Sequence, residues 1–212
     1  MTLNYPDGRS FSSNGNTSNT QKRTKKEVRF GDRGMHLEEE INETNIFYRE
    51  HDQAVIYKKP IPVQIVKVDY PKRSKAVIKE AYFKQASTTD YNGIYRGYYV
   101  DFEAKETTLK QSFPLKNFHQ HQIDHLKACK KQGGICFVIM KYVTLNRYFL
   151  VDADIIFDYW DKKNIDGSKS IKVDQIEKIG IELKSGYRPT LDYLPAVDKL
   201  IAAKQGELNE DY

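Results

Sequence analysis

Cysteine is scarce: the 212 residues contain two, Cys129 and Cys136, both in or beside apolar runs and without CxxC spacing. Neither a disulfide framework nor a cysteine-based zinc site is indicated, and both read as small core residues. Long hydrophobic runs are also missing. No stretch approaches the ~18 to 20 apolar residues of a membrane span, and the N-terminus lacks the basic-then-apolar order of a signal peptide. The expectation is a cytoplasmic protein with no membrane contact. Gly133-Gly134 lacks the spacing of a phosphate-binding glycine loop and reads better as a helix stop, so ATP hydrolysis is not expected. Internal repeats are absent too. The length allows one substantial core with an appendage rather than two full domains.

What the chain does have is positive charge, unevenly placed. Between Lys58 and Lys84 stand eight basic residues (Lys58, Lys59, Lys67, Lys72, Arg73, Lys75, Lys79, Lys84) against Asp69 and Glu80, a segment charge of +6 in a chain of net charge +5. Tyr70, Tyr82 and Phe83 are interleaved with them, a mixture suited to neutralising phosphates and packing against sugars or bases. Lys58, Lys59, Lys72, Arg73, Lys75 and Lys79 are the candidates for such contacts. An ordinary solvated basic face is the alternative.

Residues 1–32 are rich in Ser, Asn, Thr, Gly and Lys without apolar periodicity, and read as a flexible basic arm. A main domain is expected over 33–205, with a tail at 206–212. Leu37, Ile41, Thr44 and Tyr48 fall at helical spacing, with Glu38, Glu39 and Glu40 in the first turns, where the helix dipole favours acids. Val55–Tyr57 and Val63–Val68 read as strands, whereas Ala76–Gln85 fits strand or helix. Pro60, Pro62 and Pro71 punctuate this region, which suggests that 58–86 is a protruding insertion with a basic tip at Lys72-Arg73-Ser74-Lys75. A hairpin follows over about 90–106, then a helix over about 117–131, an apolar strand Ile135–Tyr142 and a strand Tyr148–Val151. A short helix around Ile155, Phe157 and Trp160, a β stretch Ile179–Leu183 and a helix near Tyr193–Ala203 complete a mixed α/β plan with a central sheet.

The hairpin carries the chemistry. Val100 to Lys105 alternate strictly, so Asp101, Glu103 and Lys105 share one side of a strand and Val100, Phe102 and Ala104 the other. A turn at Arg96-Gly97 sets Asp90 directly opposite Glu103, with Cβ atoms about 4.5 to 5.5 Å apart. A turn at Asn92-Gly93 has the better local chemistry, yet sets Asp90 opposite Tyr95. The first is preferred because it keeps Tyr98 to Lys105 as one uninterrupted strand. Two carboxylates so placed repel unless a hard cation lies between them, and Mg2+ is the natural candidate. Such an ion acidifies a bound water and neutralises charge developing on phosphate, while Lys105 either stabilises the pentacovalent transition state or orients the nucleophile. An exposed strand with ordinary surface charges is the competing interpretation.

Asp90, twelve intervening residues and Glu103-Ala104-Lys105 resemble the PD-(D/E)xK nuclease signature, with Thr89 in place of the proline. The runs Gly34-Met35-His36-Leu37-Glu38, Lys59-Pro60-Ile61-Pro62-Val63-Gln64, Tyr70-Pro71-Lys72-Arg73-Ser74, Thr88-Thr89-Asp90-Tyr91-Asn92-Gly93 and Asp101-Phe102-Glu103-Ala104-Lys105-Glu106 resemble, in order, the RecU family of bacterial Holliday-junction resolvases. The resemblance implies a restriction-endonuclease-like α/β fold, a mixed central sheet flanked by helices with a protruding basic stalk. It implies a homodimer that resolves four-way junction DNA by paired symmetric nicks in recombination and repair. It further implies magnesium ligands at Thr88, Asp90, Glu103 and Gln122, with Lys105 as transition-state stabiliser. Gln122 also shares a helical stripe with Phe118, Leu126 and Cys129, a polar group on an apolar face; a core glutamine satisfied by backbone is the alternative. Glu38 is a possible additional acid or merely a first-turn acid. The strand-exchange recombinase and the branch-migration helicase are the partners the resemblance suggests.

Two rival functions remain. His119, His121 and His125 form an HxHxxxH pattern that a zinc hydrolase would use, although no glutamate completes an HExxH arrangement. A DNA-binding modulator of recombination without catalysis would show the same charge pattern.

Overall fold

The computed structural model describes residues 32–71, 75–84, 88–163, 165 and 167–210. The sequence-predicted N-terminal arm therefore lies almost wholly outside the described residues, as do Lys72, Arg73 and Ser74 of the basic tip.

Six strands make the central sheet, in the order β1 (Val55–Lys58), β4 (Tyr91–Tyr95), β5 (Tyr98–Thr107), β7 (Ile135–Tyr142), β8 (Arg147–Asp152), β10 (Ile181–Leu183). The β5 and β7 pair is parallel and its neighbours are antiparallel, so the sheet is mixed. Helices α1 (Asp32–Glu50) and α5 (Leu194–Glu210) cover one face, while α2 (Gln120–Lys131) and α3 (Ala153–Lys163) cover the other. Every residue of β7 is buried, which is why Ile135 to Tyr142 read as a continuous apolar run rather than an alternation. On the α1 side Phe102 stacks on Tyr91 at 4.9 Å and on Phe137 at 4.7 Å between ring centroids. Leu37, Ile41 and Tyr48 of α1, at the helical spacing noted above, close over them.

The hairpin register follows the turn at Arg96-Gly97. Both residues have positive φ, +49° and +81°, as a two-residue hairpin turn of this hand requires. Tyr91 pairs with Phe102 and Asn92 with Asp101. The Asn92-Gly93 pair is not a turn because Gly93 serves the opposite neighbour: a Cβ there would lie 2.1 Å from the Val55 carbonyl oxygen.

The ambiguous segment is a strand, β3 (Val77–Phe83), paired antiparallel with β2 (Val63–Asp69) as a separate two-stranded ribbon. All seven β3 side chains are exposed, and six of seven on β2, so the ribbon stands clear of the core. Other expectations need correction. The second helix begins at Gln120, preceded by a 3-10 turn at Leu115–Asn117, because Phe118 and His119 are extended. A helix α4 (Val173–Ile179) takes the residues before β10, and a short ribbon pairs β6 (Ser112–Pro114) with β9 (Ser170–Lys172). The tail expected from 206 is helical to Glu210: good helix formers surround Gly206 and carry α5 past it.

Candidate active site

The β4 and β5 register, extended by one residue past Tyr91 and Phe102, puts Asp90 beside Glu103, and both acids line one cleft. Glu38, Asp90, Glu103, Lys105, His119 and Gln122 all line it. Glu103 has no exposed surface, since β4 and β7 flank its strand and α2 packs above. Its Oε1 accepts from the Lys105 ammonium at 2.7 Å and from Gln122 Nε2 at 2.6 Å, while its buried Oε2 receives no donor. Burial pushes the Glu103 carboxyl up to about 8; Lys105 pulls it down and the Asp90 carboxyl pushes it up again. The Asp90 carboxylate takes one long bond, 3.4 Å, from the Ala104 backbone N–H. Two acids side by side, one with an unsatisfied buried oxygen, form the donor set a hard divalent cation would satisfy. Asp90 and Glu103 would hold it.

Gln122 enters the cleft from the first turn of α2. Its Oε1 accepts from the His119 backbone N–H at 3.0 Å, so it caps the helix while bracing Glu103. Thr88 stands outside the cleft lining, its hydroxyl directed to the Thr89 carbonyl at 3.3 Å. Glu38 lies beyond the first turn of α1, so a dipole preference does not account for it; its carboxylate pairs with Lys58 at the cleft edge. The phosphate-contact candidates thus separate. Lys58 pairs with the cleft-lining Glu38, Lys75 and Lys79 are exposed at the ribbon, and Lys59 turns inward.

The residues around Lys59 were not foreseen. Asp101, fully buried, accepts from Lys59 Nζ at 2.7 Å, from the Tyr99 hydroxyl at 2.7 Å, and from the Thr89 hydroxyl. His125 Nε2 lies 3.1 Å from the same carboxylate. The signal was present: Asp101 alternates onto the side of Glu103, and His125 follows Gln122 by three positions on one helix.

The histidine pattern does not converge. His119 and His121 stack at 5.5 Å between ring centroids, whereas His125 belongs to the Asp101 cluster. Among the described residues, Asp101, His125 and Cys129 are the grouping whose ligand atoms lie within 4.8 Å of one another. The Lys59 ammonium already stands against two of these groups, so the positive charge they call for is supplied by the chain itself.

The family profile described as "Recombination protein U" matches residues 32–199. A protein of Latilactobacillus sakei named Holliday junction resolvase RecU is 58% identical over 205 residues, covering 95% of this chain and 97% of its own. One of the same name from Geobacillus sp. strain WCH70 is 53% identical over 205 residues, covering 94% and 98%. Among solved structures, Archaeoglobus fulgidus Hjc, titled a Holliday junction resolvase, shows a looser likeness: 10% identity, TM-score 0.41, and 70% of this chain against 95% of that one.

Proposed function

The chain belongs to the RecU family, and from that premise we propose that it is an endonuclease resolving Holliday junctions by paired symmetric nicks, dependent on Mg2+ held by Asp90 and Glu103. The observation that carries this reading is the buried Glu103 carboxyl beside Asp90, its Oε2 without a donor and its Oε1 2.7 Å from the Lys105 ammonium. A DNA-binding modulator without catalysis would give no reason to bury an acid against a second acid. Bound there, Mg2+ would supply Lewis acidity to the phosphodiester and make an attacking water easier to deprotonate.

The chain's own groups do the rest. Gln122 braces the Glu103 carboxylate, so its free oxygen faces one direction. Lys105 puts a positive charge where charge grows on the phosphodiester in the pentacovalent transition state, without reorganising during the reaction. The exposed β2 and β3 ribbon, with Lys75, Lys79, Tyr82 and Phe83, supports a stalk that contacts branched DNA.

A four-way junction is two-fold symmetric, so two copies of the chain with one site each match it, and the proposal includes a homodimer in the cytoplasm. The strand-exchange recombinase and the branch-migration helicase belong to it as partners. No helix of the described residues is long and apolar enough to cross a membrane.

The test is incubation with a synthetic four-way junction and with linear duplex, with and without Mg2+, using wild type and Asp90→Asn. Symmetric nicks confined to the junction, requiring Mg2+ and lost in Asp90→Asn while junction binding persists, are expected. Cleavage undiminished in Asp90→Asn would end this reading.

A further inference from the structure

We propose that Lys59 is a positioning residue whose inward-turned ammonium locks together the three segments that carry the cleavage site; the inference rests on the site assigned above. Lys59 follows the last residue of β1, and its backbone N–H donates to the Asp90 carbonyl at 2.7 Å, which fixes the chain on either side of that acid. Its side chain, 15% exposed, runs inward instead of toward solvent. The ammonium lies 2.9 Å from Thr89 Oγ1, 2.7 Å from Asp101 Oδ2 and 3.2 Å from His125 Nε2.

Thr89 Oγ1 and Asp101 Oδ2 accept two of the ammonium's three N–H groups, and His125 accepts the third in the tautomer that leaves Nε2 unprotonated; each contact falls on a different segment. Thr89 precedes Asp90. Asp101 stands two residues before Glu103 on the same side of β5, and His125 is one helical turn beyond Gln122 on α2. The two acids and the glutamine that braces one of them are therefore referenced to a single charge. Asp101 is fully buried, and the ammonium is the cation that compensates it. The node also explains why Asp101, His125 and Cys129 gather like metal ligands: the lysine fills that requirement. Errors of about 1 Å in ligand placement cost on the order of 100-fold, so a rigid anchor beneath the ligands has functional weight.

The experiment measures Mn2+ affinity by electron paramagnetic resonance on the full chain without DNA, junction binding at several salt concentrations in EDTA, and Mg2+-dependent cleavage. The variants are Lys59→Met, which leaves Asp101 uncompensated, and the double variant Lys59→Met/Asp101→Asn, which removes both charges and carries the test if the single variant unfolds. Mn2+ affinity is expected to fall about 10- to 100-fold, the cost of losing an outer-shell partner. Cleavage should fall with it and partly recover at high Mg2+, while the salt dependence of junction binding stays that of wild type.

Mn2+ affinity within twofold of wild type in a folded variant would overturn the proposal. A salt slope shallower by about one would do so as well, because Lys59 would then be a phosphate contact. Asp90→Asn separates the levels. If it weakens Mn2+ binding and the Lys59 variants do not, only this inference fails; if it too leaves binding unchanged, the site assignment fails with it.

Discussion

Lys105 extends its ammonium to within 2.7 Å of Glu103 Oε1, two residues back along the same strand, so the pair leaves β5 as one unit. The contact orients the ammonium toward the cleft and also moderates the acidity of its neighbour. Lys105→Ala should lower single-turnover junction cleavage at saturating Mg2+ by on the order of 100- to 1000-fold, with junction affinity nearly unchanged. Lys105→Arg should recover part of the loss, as it keeps the charge but not the geometry. Rapid-quench cleavage assays measure this, and a Lys105→Ala rate near wild type would remove the residue from catalysis.

The raised Glu103 carboxyl gives a second prediction, with a definite sign. Its value in the metal-free fold, about 8, lies above the ordinary 4.5. The group's contribution to stability is therefore complete below its ordinary value and is lost as pH rises through about 8. Without divalent ions, wild type should lose melting temperature relative to Glu103→Gln across that window. Because the carboxyl is mostly protonated near neutral pH, Mg2+ binding there should release about one proton, falling toward none about a unit above the Glu103 value. Calorimetry in buffers of different ionisation enthalpy reads the proton count, and binding without proton release near neutral pH would contradict the burial of this acid.

Much of this site was legible because strand alternation and a two-residue turn are local rules. The Arg96-Gly97 turn is in the structure, with Tyr91 opposite Phe102, and that register extended by one residue puts Asp90 beside Glu103. Local turn preference pointed instead to Asn92-Gly93, which β1 occupies from the other side, a tertiary demand that no window of the sequence contains. Lys59 was misplaced for a related reason. It sits in a run of exposed cations, and only the fold shows that Asp101, forty-two residues later, lies beneath it. The short α4 and the β6 and β9 ribbon were missed because segments of seven and three residues carry too little periodicity to register.

The ribbon gives a prediction that separates binding from chemistry. Lys75 is exposed and Lys79 is half exposed, paired among the described residues with Asp69 at 3.7 Å. That pairing contributes little at such exposure, so both ammoniums are available to phosphates. Replacing Lys75 and Lys79 with Ala should weaken junction binding and make the logarithmic salt slope shallower by about two, with a similar effect expected at Lys72 and Arg73. The cleavage rate of bound junction should hold. Fluorescence titrations across a salt series measure the slope, and an unchanged slope would exclude phosphate contact by the ribbon.

Gly93 connects the fold to the site most directly. It pairs with Ile56 on one side and Val100 on the other, and an added methyl would lie 2.1 Å from the Val55 carbonyl oxygen and 2.6 Å from Ile56 Cα. Backbone atoms cannot swing aside as a side chain would, so β1 must move away from β4. Gly93→Ala should therefore destabilise by about 1 to 3 kcal/mol, or more if β1 detaches. The displacement would not stop at the sheet edge, since β1 ends in Lys58, paired with the cleft-lining Glu38, and is followed by Lys59 against Asp90. Cleavage by the folded fraction should thus fall further than the loss of stability explains. Thermal unfolding together with Mg2+ titration of cleavage at low temperature tests both effects. A variant as stable as wild type would show that β1 and β4 do not approach each other as described.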